Sequence, residues 1–89
     1  MIRIVVGENE FAVRFSHTHE GTQCVILVGD VGVRDEAKVV YAEGYTRLHP
    51  KDQLNKRLGR RLAFIRAIAG VDRPTRAAIG HAVIQHCHL

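Results

Sequence analysis

The hydrophobic period of this 89-residue chain changes once, near residue 48, and that change constrains the fold more than any other feature. Before it, apolar residues come in short β-branched or alternating runs. Residues 2–6 are β-branched apart from Arg3, and the run stops at Gly7. Phe11, Val13 and Phe15 alternate with Ala12 and Arg14, which sets the three large side chains on one face of a strand. Residues 24–28 are apolar throughout and predict a central strand covered on both sides. Residues 38–47 read as a long strand with Gly44 as its bulge. Turns are expected at residues 7–10, in a polar connection at 17–23, at the glycines near 29–32 and at 34–37.

After the change, Leu54, Leu58, Leu62, Ile65, Ile68 and Ala69 recur at helical spacing. A helix is expected over residues 50–69, with Pro50 in its first turn, Asp52 complementing the positive helix end and Gly70 as its C-cap. A second helix, residues 74–86, follows Asp72, and Ala78, Ile79, Ala82, Val83 and His86 can form its buried side. The fold class is α+β in a single domain, residues 1–89. An antiparallel meander of about four strands (1–48) precedes a helical hairpin (49–89) packed on it. The leucine stripe is expected to cover the sheet, which makes Leu54, Leu58, Leu62 and Ile65 structural. Gly59, Ala63 and Ala67 project on the opposite side, as a strip another backbone could approach. Tryptophan is absent and there are five aromatic residues, so the core relies on Val, Ile, Leu and Ala.

Charge divides at the same place. Residues 1–46 hold seven acids against Arg3, Arg14, Arg34 and Lys38, a net charge of −3. Residues 47–89 hold nine basic residues against Asp52 and Asp72, a net charge of +7. A one-sided field of this kind attracts a polyanion or an acidic protein surface. Lys56, Arg60 and Arg66 lie away from the leucine stripe and Arg57 near its edge, and these four are the candidate partner-binding residues. Arg61 falls inside the apolar arc, where it would snorkel or hold a carboxylate or carbonyl. A solvated helix face, phosphate binding and an acidic protein partner are all open to such a cluster. The arginines are not interleaved with aromatics that could stack on bases, and the second helix carries only Arg76 as a strong base-reading side chain, a poor helix-turn-helix.

Residues 50–68, Pro-Lys-Asp-Gln-Leu-Asn-Lys-Arg-Leu-Gly-Arg-Arg-Leu-Ala-Phe-Ile-Arg-Ala-Ile, resemble a motif of small uncharacterised bacteriophage and prophage proteins. Asp52, Gln53, Gly59, Arg60, Ala63, Arg66, Ala67 and Ile68 match it, and the run Arg76 to Ile79 resembles the second helix of such proteins. Leu54 and Gly80 stand where those proteins usually carry an aromatic. The resemblance covers roughly residues 49–84. It implies no catalytic residue. It implies an accessory protein that binds and inhibits a host macromolecule, with CRISPR or related defence complexes the class reached by analogy. The alternatives from the residues themselves are a nucleic-acid-binding regulator and a metal-stabilised binding domain.

Six histidines are present. His17 and His19 alternate, and His86, Cys87 and His88 cluster near the end. His17, His19, Cys87 and His88 would make a four-ligand site if the fold joined them, but no Cys-x-x-Cys or His-Glu-x-x-His anchor requires it, and no metal or other cofactor is assigned. Cys24 and Cys87 read as reduced thiols, Cys24 buried and inert. No spacing singles out a catalytic acid–base pair, and no glycine run is followed by Lys-Ser/Thr, so the chain reads as a non-enzyme. No apolar run approaches the length of a membrane span, and a cytoplasmic location is expected. A homodimer joining the acidic sheet to the basic helix of a second copy is the remaining use of the charge contrast.

Overall fold

The computed structural model of the chain describes residues 1–47 and 56–87, with the side chains of Lys56 and Cys87 outside that description. Its elements are β1 (Ile2–Val6), β2 (Asn9–His17), β3 (Gly21–Asp30), β4 (Val39–Arg47), α1 (Lys56–Ile68) and α2 (Arg73–Cys87). The four strands form one antiparallel sheet in the order β1-β2-β3-β4. The architecture is α+β: a meander followed by two helices on one face, α1 over β3 and β4 and α2 over β1.

The meander follows from alternation and turn chemistry. Gly7 takes a φ of +61°, which an L side chain resists, and lets β2 begin at Asn9. The β2–β3 turn is tighter than the polar run 17–23 suggests. The Thr18 and Gly21 backbones exchange hydrogen bonds of 2.9 and 3.3 Å around His19 and Glu20, and the Thr18 hydroxyl oxygen accepts the Glu20 N–H. Register then pairs Phe11 with Val28, Val13 with Ile26 and Phe15 with Cys24. These rows point to the helices. Phe11, Val13, Cys24 and Ile26 meet Ala63, Phe64, Ala67, Ile79 and Val83 in the main core. Ala12, Val25 and Leu27 form a smaller cluster on the other face.

The bulge falls at Tyr41 rather than at Gly44. Ile26 pairs with Ala42 but Leu27 with Val40, so Tyr41 is the extra residue. The bulge turns its ring edge-on to Phe11, centroids 5.2 Å apart, and its hydroxyl donates to Asp72 Oδ1 at 3.1 Å. Asp72 in turn caps α2. Its Oδ2 accepts the Thr75 hydroxyl at 2.8 Å and the Thr75 N–H at 3.3 Å, and its carbonyl accepts the Arg76 N–H. One bulged tyrosine thus fastens the sheet to the start of α2.

Lys38 is not part of β4. It is the buried end of the β3–β4 connection, which passes Gly32 at a φ of +91° and a single 3-10 turn at Asp35–Ala37. The helix predicted from residue 50 is described from Lys56 on; Pro50, Asp52, Gln53 and Leu54 lie outside the described residues. At its other end the Val71 N–H closes onto the Ile68 carbonyl at 3.1 Å, and Gly70 does not adopt a left-handed cap.

Candidate partner-binding face

The orientation of α1 decides which side chains a partner can reach, and it is the reverse of what the leucine stripe predicts. The buried side is the strip of small residues. Ala63 and Ala67 are 0% and 3% exposed. Gly44 of β4 lies directly beneath them. A Cβ on Gly44 would collide with the Ala63 carbonyl and the Ala67 nitrogen and stand 2.9 Å from the Ala67 Cα. A Cβ on Gly59 would collide with the Thr22 hydroxyl. Helix backbone therefore rests on strand backbone, which only small residues on both surfaces allow. Phe64 fills the space between α1 and the rest of the core.

The leucine stripe faces outward as a consequence. Leu58, Leu62 and Ile65 are 41%, 36% and 50% exposed. They are not the sheet-covering structural residues that periodicity predicts, because at Gly44 the helix backbone rests on the strand itself and leucines on that side would hold the two apart. Among the described residues of the stripe only Ile68, near its end, packs against the core. The place of Arg61 inside the apolar arc now has a plain cause: the arc faces solvent, and Arg61 is exposed with it.

The predicted partner-binding residues divide. Arg57 is exposed on α1, near the edge of the outward face. Arg60 is half-buried. Arg66 bends back toward the sheet, and its Nη1 donates to the Tyr45 carbonyl at 2.7 Å, so it fastens α1 to β4 as well as carrying charge. Lys56 opens α1, and its side chain lies outside the described residues. Arg61, Leu58, Leu62 and Ile65 belong to this face and were not named as binding residues from the sequence. The signal was present in Gly59, Ala63 and Ala67 at four-residue spacing with a glycine inside β4.

The other polar cluster is internal. Lys38, its side chain 1% exposed, gives three hydrogen bonds: to the Val33 carbonyl at 2.6 Å, Asp35 Oδ1 at 3.0 Å and Glu10 Oε1 at 3.0 Å. All three ammonium protons are used. Arg3 closes the group on Asp35 Oδ2 at 2.6 Å. The hydrogen bond from Lys38, then that from Arg3, holds the Asp35 carboxyl below its ordinary value. Hydrogen bonds from Asp35 and then Glu10 hold Lys38 above its own. Asp72 is lowered, first by the Thr75 hydroxyl. Tyr41 is raised, first by desolvation. A satisfied lysine beneath a connection is a structural clamp.

The histidines do not converge. His17 Nδ1 lies 3.0 Å from the Thr22 hydroxyl, and His19 stands in the turn beside Glu20. Among the described residues, no three His, Cys, Asp or Glu side chains are close enough together to hold a metal. The Cys87 side chain and His88 lie outside the described residues, so the four-ligand grouping with them does too. Cys24 is fully buried in the core. No helix among the described residues is long and apolar enough to cross a membrane. Comparisons with protein-family models, with curated proteins and with solved structures return no match.

Proposed function

We propose that this chain is a non-enzymatic binding protein that docks an acidic surface of a host macromolecule onto the outer face of α1. The observation that carries the reading is the outward leucine stripe: Leu58, Leu62 and Ile65 are exposed between Arg57 and Arg61 on one side and Arg66 on the other. An apolar strip framed by arginine is the composition of a protein interface, where the strip is desolvated and the charges steer and orient. It favours a protein over bare nucleic acid, since phosphates gain nothing from leucine and no aromatic stands on this face to stack a base. The resemblance of residues 50–68 to small phage proteins supports a host target, and a defence complex is the class that analogy favours. The account assigns the chain no catalytic residue.

The test is site-specific photocrosslinking in a bacterial host, with a benzophenone side chain placed at Leu62, at Ile65 and, as a control, at Ile84 of α2. A nuclease-resistant adduct to one host protein from Leu62 and Ile65, absent from Ile84, is the expected result. Adducts that nuclease removes, or none at any α1 position, would overturn the reading.

A further inference from the structure

The exposed stripe has a second regularity. Leu58, Leu62 and Ile65 of α1 and Ala69, one residue past its end, are separated by four, three and four residues, and all four are exposed. That is the seam spacing of a helix that pairs side by side with another helix. With Leu62 and Ala69 as a positions, Leu58 and Ile65 are d positions. Arg61 is then at g and Arg66 at e, one on each side of the seam. These flanking sites are where paired helices read each other's charge.

Resting on the reading of α1 as the docking face, we infer that its partner presents an amphipathic α-helix with apolar a and d residues and acidic e and g residues, laid along α1. The charge pattern rejects a second copy of α1. In a parallel pair Arg61 would face Arg66 of the other copy; in an antiparallel pair each arginine would face its own counterpart. Either arrangement sets like charges together on both flanks. Nor do the described residues supply the acidic helix, because neither α1 nor α2 contains an aspartate or glutamate. Arg61 carries the stronger charge selection, since it is exposed and Arg66 already gives one N–H to the Tyr45 carbonyl. The described helix has 13 residues, under two heptads of seam, so the pairing is of the weak, exchangeable kind.

The experiment titrates the whole protein into three labelled synthetic peptides of three heptads each and follows fluorescence anisotropy at about 50 mM and about 300 mM salt. The first has Leu at a and d and Glu at e and g. The second replaces each Glu by Lys. The third is a scramble of the first. The expected result is saturable, salt-weakened binding of the first peptide alone, lowered at least about tenfold by Leu62→Glu and by Arg61→Glu, with Arg61→Glu now preferring the Lys peptide. Equal binding of the scramble would overturn the helical partner while leaving an acidic partner on α1 intact. Failure of all three peptides would also overturn it; the photocrosslinks at Leu62 and Ile65 decide separately whether α1 is the docking face. Binding untouched by both substitutions would place the contact off α1, against the inference. Sedimentation giving a dimer that Leu62→Glu dissolves would replace the acidic helix by a second copy.

Discussion

Gly44 sets how near α1 can come to the sheet, and so which side of α1 is inside. Its position leaves no room for a methyl group between β4 and the helix backbone. Gly44→Ala must push α1 away from its seat, and a cost upwards of about 3 kcal/mol is expected, enough to remove much of the stability of a domain this small. Gly80 is the contrast. It sits inside α2 with nothing within 4 Å of where its Cβ would be. Gly80→Ala should stabilise by about 0.5–1 kcal/mol through helix propensity. Thermal melts of the two variants beside the wild type check both signs at once.

Lys38 gives the second prediction at this scale. Asp35 is depressed below its usual 3.8, so its contribution is present above that value and lost as pH falls through the folded value. Lys38 is raised above 10.5, so its contribution is present below that value and lost as pH rises through the folded one. Stability should therefore be level across the neutral range and fall at both extremes. Lys38→Met removes the hub, leaves Glu10 without its cation and Asp35 with Arg3 alone, and lowers the melting temperature. Its alkaline fall should shrink to what Tyr41, also raised, contributes. An alkaline limb identical to wild type would show that Lys38 is not held as described.

Among the elements, the strands were the readable part. Alternation at Phe11, Val13 and Phe15 and the apolar run 24–28 predict the strand faces and the central strand, because one side of the sheet is dry and the period-two signal is strong. The bulge at Tyr41 was not readable: its reason is a hydrogen bond to Asp72, 31 residues on. Lys38 reads as a strand residue because lysine is so rarely buried, and here three acceptors, two in its own connection and one on β2, make burial tolerable. The buried side of α2, Ile79 and Val83, follows the pattern, but the buried face of α1 is not legible, for a different cause. Periodicity locates an apolar stripe but does not say that the stripe faces the sheet, and close packing favours the smallest side chains whenever the facing strand offers a glycine. Arg66 tests the corrected orientation. Arg66→Glu should lower the melting temperature by breaking its bond to the Tyr45 carbonyl, whereas Arg61→Glu should leave the melt almost unchanged, although both remove one arginine from the same helix.

Across the whole molecule, the unpaired basic charge gathers on α1. The register sets the β1–β2 turn and the β3–β4 connection at one end, where Glu8, Asp30 and Glu36 stand with Arg34 and where Lys38 and Arg3 pair with Asp35. Arg47 lies at the other end, opposite Gly21, and α1 starts there, with Gly59 against Thr22. The basic, acid-free surface of α1 orients an acidic partner before contact, and the association rate should fall about tenfold between roughly 50 mM and 500 mM salt while dissociation changes little. Stopped-flow binding of the acidic peptide resolves the two rates. Duplex DNA should bind only in the weak, steeply salt-dependent way any basic surface allows.

All of these expectations depend on which side of α1 meets the sheet, and one comparison of melting temperatures reads that directly. The pair of substitutions Leu62→Glu and Ile65→Glu in one chain adds two charges to the outward face. The melting temperature is expected to stay within about 6 °C of wild type, since surface changes cost under about 0.5 kcal/mol each and about 1 kcal/mol shifts a domain of this size by about 4–8 °C. A fall of more than about 10 °C would mean that the leucine stripe is core, that α1 is seated the other way round, and that the docking face described here does not exist.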